Sequence, residues 1–127
     1  MARVLTVGAA QLGPIQKSES RASVVKRMVS LMSAAKQKRC DLVVFPELAL
    51  TTFFPRWYMT DQSEIDQWFE SEMPGPDTQP LFDMARQANM AFHLGYAELS
   101  VESDHTHRYN PAILVDRKRV VWGKRVD

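Results

Sequence analysis

A short apolar run that stops at a proline most constrains the fold of this 127-residue chain. Residues 42–45 read Leu-Val-Val-Phe, and such an unbroken apolar run is typical of a strand buried on both faces of a parallel sheet. Pro46 cannot donate a hydrogen bond to a sheet ladder, so the strand is predicted to end there. Glu47 then follows the carboxyl end of a buried strand, where open α/β sheets place their ligand sites.

Glu47 is the first charged residue after this strand, and Phe53, Phe54, Trp57 and Tyr58 follow it closely. We expect these aromatic residues to give the carboxylate apolar surroundings. Such surroundings raise the pKa of a carboxyl group toward neutrality in general, which suits a general base. A glutamate in this position can instead pair with an arginine, cap a helical turn or face water. Position alone therefore leaves both catalysis and a structural role open.

The rest of the chain alternates between strand and helix patterns, which predicts an α/β fold that begins with a βαβ unit. We predict strands at residues 4–10, 42–45, 91–99, 109–116 and 120–122, and helices at residues 20–38 and 78–89. Asp61 and Glu64 have capping-box spacing, which predicts a further helix that carries Ile65, Trp68 and Phe69.

Several motifs resemble one known family. The segments FPELALTTFFPRW at residues 45–57 and EMPGP at residues 72–76 are similar to the amino-terminal part of N-carbamoyl-D-amino acid amidohydrolases. These enzymes are carbon–nitrogen hydrolases of the nitrilase-like family. The resemblance begins near Val4 and continues through LFDMA, LGYAEL and ILVD, which start at residues 81, 94 and 113. The FPEL element marks the wider family, whereas TTFFPRW points to the carbamoylase branch.

The resemblance implies hydrolysis of N-carbamoyl-D-amino acids to the D-amino acid, carbon dioxide and ammonia by a cysteine, glutamate and lysine triad. Glu47 matches the general base, which would take the proton of the cysteine thiol while the lysine stabilises the tetrahedral intermediate. Without a gap, the tyrosine, arginine and catalytic lysine of the family fall on Arg125, Val126 and Asp127. An aspartate there reverses the required charge. A small deletion would instead align Lys124 or Arg125 with this basic segment.

Cys40 is the only cysteine of the chain and precedes the strand at residues 42–45, at the end opposite to Glu47. Four or five extended residues separate the two by roughly 15 Å, so Cys40 is predicted to be a buried or half-buried structural thiol. The nucleophilic cysteine of the family would lie beyond Asp127. The alternative to an active hydrolase is therefore a truncated, inactive relative that lacks the nucleophile and the lysine.

The resemblance also implies a fold. Residues 1–127 would form one partial domain, the amino-terminal portion of the nitrilase-like α-β-β-α sandwich, and this α/β sandwich would be incomplete. A small α/β binding module unrelated to hydrolysis is a third reading, but the chain contains no phosphate loop or dinucleotide fingerprint to support it.

Two further residues are candidates for binding a substrate. Arg56 and Trp57 are candidates for the wall of a substrate pocket, because arginine suits a carboxylate. Their alternative role is to close the loop at residues 53–58 over the core. Asn110 resembles an asparagine that the family places just before its next strand, and Pro111 is predicted to distort the backbone there.

The histidines carry less information. His93 lies in a predicted strand and is expected to have a core or surface role. His105 and His107 have a spacing that could hold a metal on a strand, but no third ligand is evident in the polar stretch at residues 102–108. This stretch is therefore predicted to be a solvated loop, and no metal site is predicted.

Composition narrows the partners and the compartment. Hydrophobic residues make up 45% of the chain and the net charge is +1, without a basic tract for nucleic acid, since residues 117–119 are predicted to form a turn. The single cysteine fits a reducing compartment, and no apolar leader or membrane-spanning run is present. We predict a cytoplasmic protein with a small-molecule substrate and without a metal or organic cofactor. The resemblance implies homo-oligomers for a full-length relative.

Overall fold

The computed structural model describes residues 2–117 and 119–124. In this part of the chain a five-stranded mixed sheet carries helices on one face, and a two-stranded hairpin stands beside it. The strands are β1 (Val7–Ala9), β2 (Leu42–Val44), β3 (Ala91–Gly95), β4 (Glu98–Glu102), β5 (His105–Tyr109), β6 (Ala112–Asp116) and β7 (Arg119–Lys124). The α-helices are α1 (Arg21–Gln37), α2 (Gln62–Asp66) and α3 (Gln79–Ala88), and one turn of 3-10 helix covers Phe54–Arg56.

The order of strands in the larger sheet is β1-β2-β3-β6-β7. Strands β1, β2 and β3 are parallel, whereas β6 and β7 run antiparallel to their neighbours. The predicted βαβ unit is thus confirmed as β1-α1-β2. The register places Val43, Phe92 and Val115 side by side on one face. These side chains form one buried core with α1 and α3.

The opposite face of the sheet is only half-buried. It carries Leu42 and Val44 from β2, His93 from β3 and Leu114 from β6, each with intermediate exposure. The expectation of a strand buried on both faces therefore holds for one face only. A sheet with helices on one side and a half-exposed face on the other is what an incomplete sandwich predicts.

Helix α1 forms where its local signals place it. The Oγ atom of Ser20 accepts a hydrogen bond from the main-chain N–H of Ser23 at the N-cap. An apolar stripe along α1 is buried at Val25, Met28 and Met32. Helix α3 begins with a proline in its first turn, where the missing N–H costs no hydrogen bond.

Helix α2 is shorter than predicted. It ends at Asp66, so Trp68 and Phe69 lie in the turns that follow it. Its N-cap Asp61 accepts hydrogen bonds from the main-chain N–H and the hydroxyl of Ser63, and Glu64 makes no capping-box bond to Asp61. A five-residue helix does not have enough turns to carry the whole predicted apolar set.

Three strand predictions are wrong in extent. The predicted strand at residues 109–116 begins with Tyr109, which belongs to β5, and enters the larger sheet only at Ala112. The predicted strand at residues 91–99 is divided between β3 and β4, which belong to different sheets. The predicted strand at residues 4–10 is reduced to β1, and Val4 and Leu5 are exposed, because β2 offers only three pairing residues to this edge strand.

The polar stretch at residues 102–108 is not a loop. Most of it forms β5, which pairs with β4 in the hairpin from Glu98↔Tyr109 to Glu102↔His105. Ser103 adopts the left-handed conformation (φ 55°) in the tight turn between these strands. Arg117 (φ 60°) lies in the turn between β6 and β7 as predicted, and Lys118 lies outside the described residues.

Candidate active site

Glu47 lies in the turn that directly follows β2 and is tied to the next parallel strand on both sides. The main-chain N–H of Phe45 donates to the carbonyl of His93 (3.0 Å), and that of Ala49 donates to the carbonyl of Gly95 (3.2 Å). These bonds hold the backbone of Glu47 at the carboxyl ends of β2 and β3. The position of Glu47 that was predicted from Pro46, at the carboxyl end of a strand, is therefore confirmed.

Leu48 shapes this turn, and sequence reasoning did not identify it. Its φ angle is 52°, a left-handed conformation that favours glycine or asparagine. Its side chain is nonetheless buried in what we call the aromatic cluster, formed by Leu48, Phe54, Trp68 and Ala97. Burial of a leucine side chain gains about 1.5–3 kcal/mol, which offsets a backbone cost of about 1–3 kcal/mol. The buried Leu48 side chain thus fixes the backbone of the turn, and with it the direction in which the neighbouring Glu47 side chain projects.

The Glu47 carboxylate is bound by an amide from a distant segment. The Nδ2 atom of Asn110 donates to Oε1 of Glu47 over 2.6 Å. Asn110 lies in the connection between β5 and β6. The strand predicted through Pro111 is interrupted at Asn110 and Pro111, and β6 pairs in register with β3 from Ala112↔Gly95 onward.

The apolar surroundings predicted for Glu47 are found on one side only, in a surface depression whose walls include Phe53, Phe54 and Phe69. Glu47 is exposed, as are Phe53 (52%) and Tyr58 (94%). Phe54 is buried in the aromatic cluster, where its ring stacks on Trp68 with the centroids 6.2 Å apart. The aromatic density of this segment therefore serves packing at one position and faces solvent at others.

Two surface depressions meet at Glu47. One has a volume of about 280 Å³, and its walls include Phe53, Arg108 and Asn110. The other has a volume of about 250 Å³, and its walls include Thr51 and Arg56. Each is slightly smaller than the roughly 300–1,000 Å³ typical of small-molecule sites. Glu47 is thus reachable from two sides.

The two predicted substrate-binding residues have different surroundings. Arg56 lines the same depression as Glu47. Trp57 is half-buried against the aromatic cluster and does not line either depression at Glu47. The Arg56 guanidinium carbon and the Lys17 ammonium lie over its ring, 5.3 Å and 5.4 Å from the ring centroid. Arg56 is therefore partly held by Trp57.

A bidentate ion pair holds the hairpin against α2. Arg108 donates from Nε and Nη2 to the two carboxylate oxygens of Asp66, over 2.7 Å and 2.9 Å. The hydrogen bonds from Arg108 lower the pKa of the Asp66 carboxyl, and the same bonds raise the pKa of Arg108. Because Arg108 also lines a depression at Glu47, this pair fixes one wall of the candidate site.

Cys40 lies at the other end of β2, as predicted. It is half-buried and packs against the core. A Cβ atom added at Gly8 would lie only 3.1 Å from the Cys40 sulfur. The prediction of a structural thiol is confirmed.

The histidines do not join Glu47. His93 is half-buried in β3, and its Nδ1 atom is buried without a hydrogen-bond partner among the described residues. His105 and His107 are exposed on β5 with ring centroids 6.3 Å apart. Within residues 2–117 and 119–124, no three histidine, cysteine or acidic side chains converge as a metal site.

Of the positions considered for the triad lysine, Lys124 is the last residue of β7. Arg125, Val126 and Asp127 lie outside the described residues. Across the part of the chain that the structure describes, no helix has the length and hydropathy needed to cross a membrane.

Comparison with known proteins agrees with this architecture. The fold resembles an N-terminal amidase (TM-score 0.71, 23% identity), a carbon-nitrogen hydrolase from Helicobacter pylori G27 (0.71, 16%) and the NitN amidase from Neterenkonia sp. AN1 (0.70, 14%). These matches cover 95%, 95% and 96% of this chain, but only 27%, 39% and 44% of the respective structures. The chain therefore spans less than half the length of these proteins.

The described residues and these matches define a partial nitrilase-like α/β fold, which confirms the predicted fold class. The family model for carbon-nitrogen hydrolases matches residues 6–125. The chain belongs to the carbon-nitrogen hydrolase family.

Proposed function

We propose that this chain belongs to a hydrolase that acts on N-carbamoyl-D-amino acids, with Glu47 as the general base. The observation that carries the proposal is the Glu47 carboxylate at the carboxyl end of β2, held by Asn110 where two depressions meet. Family membership supports carbon–nitrogen hydrolysis, and the TTFFPRW segment at residues 51–57 supports the carbamoyl substrate.

In this reaction Glu47 takes the proton of a cysteine thiol, and the thiolate attacks the carbamoyl carbon. Ammonia leaves with that proton as the tetrahedral intermediate collapses to a thiocarbamate. Water then releases the N-carboxy amino acid, which loses carbon dioxide to give the free D-amino acid. A lysine would stabilise the oxyanion in each tetrahedral state.

Arg56 is proposed to bind the substrate carboxylate. Its guanidinium shares a depression with Glu47, and guanidinium groups bind carboxylates with two parallel hydrogen bonds. Contact with the Trp57 ring at 5.3 Å limits the positions that the guanidinium can adopt. Trp57 would then contribute to substrate binding by orienting Arg56 rather than by touching the substrate.

A second candidate function is that of a catalytically inactive relative. The observation that favours it is the position of Cys40, the only cysteine of the chain, at the end of β2 opposite to Glu47. An attacking thiol and its base must lie within hydrogen-bond reach of each other. In this chain alone, the base has no thiol to activate.

The purified 127-residue chain is therefore expected to release no ammonia from N-carbamoyl-D-phenylalanine above the uncatalysed rate. The measurement is ammonia release followed by a coupled assay, with Glu47→Gln as the matched variant. Turnover by the chain that Glu47→Gln abolishes would contradict this expectation and would require a different nucleophile.

Substrate binding is expected even without turnover. N-carbamoyl-D-phenylalanine should shift the amide resonances of Glu47 and Arg56 in an NMR titration, and the L enantiomer should bind more weakly. Arg56→Met is expected to weaken binding about tenfold or more, because a charge-assisted hydrogen bond contributes about 1.5–3 kcal/mol. Arg117→Met, in the exposed turn after β6, is the matched control and should leave the affinity unchanged. The proposed substrate contact would be refuted if both enantiomers bound with equal affinity. It would also be refuted if Arg56→Met bound N-carbamoyl-D-phenylalanine as tightly as the wild type.

A further inference from the structure

We infer that Asn110 is a positioning residue for Glu47, which fixes the carboxylate so that Oε2 is the oxygen that accepts the proton. The inference rests on the proposed role of Glu47 as the base. Its starting point is the 2.6 Å hydrogen bond from Nδ2 of Asn110 to Oε1 of Glu47. Only the Nδ2 group of an asparagine side chain can donate to a carboxylate, so the orientation of the amide follows from the contact itself.

The segments that carry Glu47 and Asn110 are each hydrogen-bonded to one of two consecutive residues, Gly95 and Tyr96. The turn that carries Glu47 is held by the bond from Ala49 N–H to the Gly95 carbonyl (3.2 Å). The connection that carries Asn110 is held by the bond from Tyr96 N–H to the Pro111 carbonyl (3.1 Å). The amide and the carboxylate are thus placed relative to one another by the end of a central strand, although they are 63 residues apart in sequence.

The Glu47 side chain needs such a contact in order to adopt one conformation. Glu47 is exposed, so packing does not select one conformation of its side chain. A glutamate side chain loses up to about 2 kcal/mol of rotamer entropy when it is ordered. A charge-assisted hydrogen bond is strong enough to offset that loss. Catalysis is sensitive to this order, since a misplacement of about 1 Å can cost about 10²-fold in rate.

The bond also distinguishes the two carboxylate oxygens. Oε1 already accepts the Asn110 amide proton, whereas Oε2 accepts no hydrogen bond from the described residues. Proton transfer needs an oxygen within hydrogen-bond distance of the thiol. Oε2 is therefore the oxygen assigned to the thiol proton, and Asn110 determines which oxygen faces the substrate.

The test is the conformation of the Glu47 side chain in Asn110→Ala, measured by NMR from the three-bond couplings about χ1 and χ2. The wild-type chain should show one dominant rotamer, and the variant should show rotamer-averaged couplings. The matched control is Gln79→Ala in α3, which removes another amide-to-carboxylate bond, from Gln79 Nε2 to Asp83 Oδ1 (3.0 Å). This control should leave the Glu47 couplings unchanged.

Asn110→Asp is a second variant that controls for the loss of side-chain volume in Asn110→Ala. It keeps the shape of asparagine and replaces the donor with a second carboxylate. It should also release the Glu47 rotamer at neutral pH, and acidification should restore it when one of the two carboxyl groups is protonated and can donate. A Glu47 rotamer that stays fixed in both variants, while the thermal midpoint falls, would show that Asn110 only holds two loops together and would overturn the inference. The couplings require neither substrate nor turnover, so failure of the proposed hydrolysis is recognised separately by the ammonia and binding measurements.

Discussion

Phe92→Ala is expected to lower the free energy of unfolding by about 3–5 kcal/mol. Phe92 is fully buried in β3, at the centre of the sheet. Its ring makes edge contacts with Phe45 and Phe82, with centroid distances of 6.4 Å and 5.4 Å. The truncation removes both contacts and leaves a cavity between the sheet and α3. Domains of this kind have total stabilities of about 5–15 kcal/mol, so the loss is a large fraction of the whole.

Urea denaturation followed by far-ultraviolet circular dichroism measures this effect. The matched control is Phe53→Ala, because Phe53 is 52% exposed and its truncation should change the free energy by no more than about 0.5 kcal/mol. If the alanine variant does not fold, Phe92→Leu, which keeps much of the apolar volume, should still lie below the wild type. Equal losses for Phe92→Ala and Phe53→Ala would contradict the placement of the core.

Arg21→Met is expected to be the most damaging change of a charged residue, at about 2–3 kcal/mol near pH 7, below the roughly 3–5 kcal/mol of a fully buried pair. Arg21 donates from Nε to Oε1 of Glu70, and from Nη2 to the carbonyls of Gln67 and Phe69. Glu70 is the better buried partner, with 13% of its side chain exposed against 24% for Arg21. Without Arg21 the carboxylate would stay dehydrated and uncompensated.

The cost of this change should depend on pH. Burial raises the pKa of the Glu70 carboxyl above its ordinary value of 4.5, while the charge and the hydrogen bond of Arg21 act against that rise. A folded state with the higher pKa binds more protons than the unfolded chain, so stability falls as the pH rises above about 4.5 through this pKa. Removing Arg21 raises the folded-state pKa further and extends the fall.

The difference in free energy of unfolding between the wild type and Arg21→Met should therefore be larger at pH 7 than at pH 4. Urea denaturation at both pH values measures it, with Arg117→Met as the control for loss of an exposed arginine. A difference that is the same at both pH values would indicate that packing of the Arg21 side chain, rather than its charge, accounts for the effect.

Local features of the sequence predicted the fold where the structure depends on local signals. Ser20 caps α1 directly, and the apolar stripe of that helix needs only helical periodicity. Pro46 predicted the end of the strand before Glu47, because a proline has no main-chain N–H to donate to the sheet. The hairpin was not predicted because its second strand consists of polar residues, the first three of them exposed, and such a strand has no apolar alternation.

The candidate site was predictable only in part. The position of Glu47 followed from the strand before it, but its exposure did not, because aromatic residues close in sequence need not point toward it. The side chains that organise the site come from elsewhere: Arg108 is 42 residues from Asp66, and Asn110 is 63 residues from Glu47. Pairs of this kind depend on the tertiary fold, which a single sequence does not reveal.

His93 gives the half-exposed face of the sheet a chemical selectivity. Val44 and Leu114 flank it in the register, yet its Nδ1 atom is buried and has no hydrogen-bond partner in the described part of the chain. His93 is half-buried, so an entirely apolar layer placed over this face would dehydrate the part of the imidazole that still contacts solvent, at a cost of about 1–3 kcal/mol. A layer that carries a donor or acceptor opposite β3 would avoid that cost. A surface that covers this face of the sheet must therefore match its shape and must also carry a polar group opposite His93.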